Sequence, residues 1–102
     1  MIYIKFHNTE SGLILAMCDE ALINSVIEKN NIYINIKDYS DFYKGELVDA
    51  ILAGEKINGK KFYSANIIGN ESIKIAIKYK VIENQNVKVI NNTKYAHSYS
   101  IT

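Results

Sequence analysis

Leu13-Ile14-Leu15-Ala16-Met17-Cys18-Asp19-Glu20 decides how this chain folds. Residues 13–17 are apolar without alternation, so the strand they form must be covered on both faces. It runs into the chain's single cysteine, and two carboxylates follow at once. Upstream, Ile2, Ile4 and Phe6 alternate with Tyr3, Lys5 and His7, the two-residue period of a half-buried strand. The polar stretch Asn8-Thr9-Glu10-Ser11-Gly12 joins these two strands as a hairpin.

Downstream, Asp19 is placed to cap a short helix through Ala21, Leu22, Val26 and Ile27, with Glu20 in its first turn. Ile32, Ile34 and Ile36 alternate with Tyr33, Asn35 and Lys37 as a third strand. The loop from Asp38 to Lys44 is aromatic and acidic, closed by Gly45. The spacing of Leu47, Ala50 and Ile51 predicts a helix over 46–53, stopped at Gly54. Asn58-Gly59 is the strongest hairpin-turn dipeptide in the chain.

Residues 72–81 fit both periods. Ile73, Ile75, Ile77 and Tyr79 alternate as in a strand, whereas Ile73, Ala76, Ile77 and Val81 fall on one helical stripe. Asn70-Glu71 at the start, with Lys78 and Lys80 at the end, favours the helix. A strand over 87–90, a turn at Asn91-Asn92 and a closing strand over 95–101 complete the chain. The expected fold is a single α+β domain over 1–102, with a mainly antiparallel sheet of about five strands and two to three short helices packed on one face.

At 102 residues and 48% apolar composition, the chain is long enough for one core without covalent staples. One cysteine forms no internal disulfide. The N-terminus has no basic segment followed by an apolar run, and no stretch approaches the roughly 20 residues of a membrane span. The cytoplasm is the expected location. A net charge of +1 provides no bulk field for a polyanion. All twelve basic residues are lysines, so recognition that needs a guanidinium fork is disfavoured, while a lysine still serves as a point charge for phosphate.

Cys18 is the first candidate for chemistry. A helix start lowers a thiol pKa, but Asp19 and Glu20 oppose the thiolate, and a cysteine ending an apolar strand commonly serves as a small buried hydrophobe. His7 and His97 lack the short spacings of metal ligands, so no metal and no cofactor is expected.

The strand faces are the stronger candidate. With the isoleucines inward, Tyr3, Lys5, His7, Tyr33, Asn35 and Lys37 look outward, and Tyr95, His97 and Tyr99 share one face of the last strand. Aromatic rings interleaved with lysines on an open sheet can stack and tether single-stranded nucleic acid. The competing explanation is that tyrosine is simply favoured in strands. Lys56-Ile57-Asn58-Gly59-Lys60-Lys61 is the densest basic patch, suited to a phosphate-contacting arm.

Three segments carry a resemblance when taken together: Cys18-Asp19-Glu20, Phe42-Tyr43-Lys44-Gly45-Glu46 and Ala65-Asn66-Ile67-Ile68-Gly69. Set between an opening strand pair and a closing strand, they resemble the archaeal family known as domain of unknown function 424, over nearly the whole chain. Where that family ends in Gly-Gly-x-Pro-His-Ala-Gln, residues 91–97 here keep only Ala96, and Tyr95 stands in the histidine's place. The resemblance implies an archaeal cytosolic protein of a family without an assigned activity, associated loosely with translation and RNA machinery. It also implies a functional cluster at Cys18, Asp19, Tyr43, Gly45, Glu46 and Asn66.

The function expected from these features is a non-enzymatic module that binds RNA or a ribonucleoprotein. Tyr3, Lys5, Tyr33 and Lys37 would act on the sheet face, with Lys56, Lys60 and Lys61 on the arm. The alternatives are a small enzyme or redox protein centred on Cys18, and a protein–protein adaptor or homodimer.

Overall fold

The structure is a computed structural model and describes residues 1–99. Strands β1 (Ile2–Thr9) and β2 (Gly12–Asp19) form the expected antiparallel hairpin, with Phe6 opposite Leu15 and Tyr3 opposite Cys18. A separate two-stranded hairpin follows, β3 (Val26–Lys29) and β4 (Ile32–Asn35). Helix α1 (Ser40–Tyr43), strand β5 (Glu46–Val48), helix α2 (Ala50–Ile57), strand β6 (Ser64–Ile68) and helix α3 (Asn70–Lys78) come next. Strands β7 (Lys88–Ile90) and β8 (Thr93–Tyr99) close the described chain.

The main sheet has six strands in the order β5-β1-β2-β6-β8-β7, more than the five or so expected. The β2–β6 pair is parallel and every other pair antiparallel. β2 lies between β1 and β6, and its Leu15–Cys18 run is fully buried, as a strand covered on both sides requires. Among the described residues no helix is long and apolar enough to cross a membrane.

Strand alternation divides the core into two layers. On one face Ile2, Ile4, Leu15, Met17 and Ile67 pack against α2 and α3 through Ala53, Ile57, Ile73 and Ala76. On the other, Ala16, Cys18 and Ile68 pack against the β3–β4 hairpin and α1 through Ile27, Ile36 and Tyr43. Two helices therefore share one face as expected, and the third, α1, lies on the opposite one.

Four local expectations are corrected. The helix predicted after Asp19 is a single 3-10 turn at Glu20–Leu22, and Val26 and Ile27 enter β3 instead, because a partner strand at 32–35 satisfies their backbone. The helix predicted over 46–53 begins only at Ala50 and runs through Gly54 to Ile57. Residues 46–48 pair with β1 as an edge strand, and Gly54 packs tightly on the Tyr79 ring. Asn58-Gly59 makes no hairpin; Asn58 is the C-cap of α2 and Gly59 adopts φ 75°. Finally, β4 is not part of the main sheet, so Ile32 is half exposed while Ile34 and Ile36 turn toward the second layer. Residues 72–78 are helical as expected, but the helix begins at Asn70 behind the N-cap Gly69 and stops at Lys78, with Lys80 beyond it at φ 60°. Of the predicted closing strand, Ser100 and Ile101 lie outside the described residues.

Candidate functional site

The second layer is incomplete. The small β3–β4 hairpin and the one-turn helix α1 cover the β1–β2–β6 surface at one end only. Between them and the sheet lies a cleft of about 460 Å³, lined by Tyr33, Ile34, Asn35, Ile36, Tyr39, Phe42, Tyr43, Asn66 and Ile68. That volume is within the usual range for small-molecule sites. Aromatic residues supply four of its nine lining side chains, and Tyr33 and Tyr39 are 59% and 66% exposed.

Each wall has a local cause. Asn35 holds the β4 end by donating to Asp38 Oδ2 (2.6 Å) and accepting from the Asp38 amide (2.9 Å), which starts the 3-10 turn Lys37–Tyr39. The Asn35 amide also donates to the Tyr33 hydroxyl at 3.2 Å, orienting that ring. Phe42 stacks on His7 (centroids 4.6 Å, planes within 8°) while a ring nitrogen of His7 lies 2.8 Å from the Phe42 carbonyl oxygen. Lys5 donates to the Asp41 carbonyl at 2.7 Å, so β1 grips α1 from below. The Lys44 conformation (φ −81°, ψ 74°) is an inverse γ-turn, closed by the Gly45 amide on the Tyr43 carbonyl at 2.8 Å. A side chain at Gly45 would collide with the Ile4 carbonyl, which explains why glycine stands there.

Asn66 forms the floor. It faces the cleft because Ala65 and Ile67 face the helices. Among the described residues no buried polar side-chain atom lacks a partner, so the carboxamide of Asn66, which pairs with no protein group, meets solvent in the cleft. On the neighbouring strand, opposite Ile68, Cys18 is fully buried. Burial first, and then the neighbouring Asp19 charge, push its thiol up to about 12. Burial, and then the adjacent Cys18, push the Tyr43 phenol up to about 12 as well. Both groups are neutral at physiological pH, so the thiolate a cysteine nucleophile needs is not formed.

The cluster implied by the family resemblance is therefore split by strand alternation. Tyr43 and Asn66 both line the cleft, and Cys18 is buried in the same layer as Tyr43. Asp19 points to the helix layer, where it locks α3 in place. Its carboxylate accepts from the Glu71 amide (3.1 Å), the Ser72 amide (2.9 Å) and the Ser72 hydroxyl (2.7 Å). It thus caps a helix, but one whose bonded residues lie 52 and 53 positions downstream rather than its own neighbour. Gly69, at φ 113°, is required beside it because a Cβ there would fall on the carboxylate. Glu46 is exposed and paired with Lys56 at 3.2 Å, on the helix side.

The proposed nucleic-acid residues divide in the same way. Tyr33 is at the cleft mouth, and Lys37 is exposed on the turn after Ile36, outside the cleft lining. Tyr3 is half-buried in the second layer, and Lys5 is tied to Asp41. Lys60 lies over the Phe6 ring, 5.5 Å from its centroid, and Lys56 pairs with Glu46, so both belong to the helix side; Lys61 is exposed. Tyr39, Phe42 and Ile36 were not singled out from sequence as wall residues. The aromatic density of 38–44 was their one available signal.

A model of the family described as a protein of unknown function (DUF424) matches residues 6–101. Among solved structures, an uncharacterized conserved protein from Methanopyrus kandleri is similar at a TM-score of 0.78 and 17% identity, covering 96% of this chain and 90% of that one. At that identity the likeness is one of fold. No curated protein matches the chain significantly.

Proposed function

We propose that this chain, which belongs to the DUF424 family, is a non-enzymatic binding module whose cleft takes an unstacked base of single-stranded RNA. The observation that carries this reading is the pairing of exposed aromatic walls with an unpaired carboxamide floor. Tyrosine and phenylalanine rings offer π-faces to a base, and an Asn amide offers both a donor and an acceptor to its edge. Duplexes are poor candidates, since arginine is absent and the net charge is only +1. The expected setting is the cytoplasm, on RNA or a ribonucleoprotein.

The chain has eight tyrosines and no tryptophan, so its intrinsic fluorescence reports tyrosine stacking directly. Titration with a mixed-sequence single-stranded RNA hexamer should quench that fluorescence saturably. Asn66→Ala and Tyr33→Ala should each weaken the binding. An absence of saturable binding up to millimolar RNA would sink the reading.

The cysteine-centred alternative has less support, because Cys18 is buried and held neutral. An adaptor or homodimer pairing on the main sheet would use its edge strands β5 and β7, three residues each, which offer little backbone for pairing.

A further inference from the structure

The cleft does not end at Asn66. Across the β6–β8 pairing, Asn66 stands opposite His97, and Ser64 opposite Tyr99, all on the cleft face of the sheet. His97 and Tyr99 are exposed, with ring centroids 4.6 Å apart and planes tilted at 52°. Tyr63, just before β6, meets Tyr99 edge-on at 6.0 Å. The Ser64 hydroxyl lies 3.5 Å from His97 Nε2. Neither the β3–β4 hairpin nor α1 covers this end of the face, and these three rings are absent from the cleft wall.

We infer that His97, Tyr99 and Tyr63 form a second stacking position, so that the protein holds two bases of one RNA strand on either side of Asn66. This inference rests on the reading of the cleft given above. Two positions along a strand span about 7 Å, the reach of one extended nucleotide. His97 is the cross-strand neighbour of Asn66, about 5 Å away, and Tyr99 stands two positions further along. The step from Asn66 to Tyr99 therefore suits a backbone whose bases are splayed apart rather than stacked on each other. The surface between the two positions is built from Ser64, Asn66 and the β8 backbone, without a cation cluster. Lys5, on the same row, is two strands away and tied to Asp41. Binding across both positions should therefore come mainly from stacking and hydrogen bonding, with a shallow salt dependence.

The test uses the full chain, isotope-labelled, with adenosine monophosphate and the mixed-sequence RNA hexamer as probes. The mononucleotide should shift amide signals around the cleft, at 33–43 and 66. The hexamer should in addition shift those of Tyr63, Ser64, His97 and Tyr99. The double variant His97→Ala with Tyr99→Ala should bind the hexamer at least about fivefold more weakly, the lower end for one stacked base, and bind the mononucleotide as the unmodified chain does. Because both side chains are exposed, the variant should keep its fold, and the shift map of the unmodified chain decides the question without it. Hexamer shifts confined to the cleft, or an unchanged hexamer affinity in the variant, would overturn the second position and leave the cleft reading standing. If neither probe binds the unmodified chain, the cleft reading falls and the second position with it.

Discussion

The two faces of one sheet have met opposite fates. The face carrying Ile2, Leu15, Met17 and Ile67 is sealed by α2 and α3, and those four side chains are completely buried. The face carrying Cys18, Asn66 and His97 is covered at one end by a two-stranded hairpin and a single helical turn, and is open at the other. Two amphipathic helices present apolar stripes wide enough to close a sheet. A hairpin of two four-residue strands has too little surface to do so, and its own Val26, Ile32 and Tyr33 remain exposed. Stability accordingly concentrates on the helix side, and the surface available for recognition on the other.

Neighbouring residues on β6 break or sharpen that contrast most directly. Ile67→Ala should cost about 2–5 kcal/mol of unfolding free energy, the range for a large-to-small change in a packed core. Asn66→Ala, one residue away, should change stability by no more than about 0.5 kcal/mol while weakening RNA binding. Urea denaturation of both variants gives the comparison; similar losses would mean that the two faces are equally structural.

Asp19→Ala comes next in size. It removes the cap of α3, about 0.5–2 kcal/mol, and strips the buried Ser72 hydroxyl of its acceptor, about 1–3 kcal/mol. A combined loss near 3 kcal/mol with unchanged RNA affinity is expected. An affinity loss in the folded variant would return Asp19 to the recognition site.

The cleft side carries the pH dependence. The Cys18 thiol ordinarily ionises near 9 and the Tyr43 phenol near 10, and the fold holds both up to about 12. A group raised on folding stabilises fully below its unfolded pKa and loses that contribution as pH climbs toward the folded value. Stability should therefore be level through neutrality and fall between about pH 9 and 12, by up to about 1.4 kcal/mol per pH unit for each group. Thermal melts across this range should show a gentler decline in Cys18→Ala. An identical decline would place the alkaline weakness elsewhere.

The smallest effect concerns the basic segment. Because Lys60 is on the helix side over Phe6, Lys60→Ala combined with Lys61→Ala should alter RNA affinity less than twofold and leave its salt slope unchanged. A clear loss of slope would bring this segment back to the binding surface.

Much of this architecture is written locally. The β1–β2 hairpin, the buried run 15–18 and the β7–β8 hairpin around Asn91-Asn92 follow from periodicity and turn chemistry over a few residues. At α3, where both periods fit, the residues at the ends of the segment tip the balance to helix. The errors arise where a distant partner overrides a local preference. Val26 and Ile27 have helical spacing with Ala21 and Leu22, yet β4 offers them a ladder; Leu47 has helical spacing with Ala50 and Ile51, yet β1 takes it as an edge strand.

The site shows the same division. The sequence alone determined that aromatic side chains alternate along the outward positions of its strands, and that Tyr43 and Asn66 belong to segments rich in aromatic and apolar residues. It also dictated the absence of arginine, and with it the weak case for duplex recognition. Only the tertiary structure decided that Tyr43 and Asn66 line one cleft while Asp19 and Glu46 turn away, and that the arm residues Lys56 and Lys60 lie on the helix side. The physical reason is that side-chain direction in a strand has a period of two, fixed by the backbone. Which of the two directions is buried, and by what, depends on elements tens of residues away.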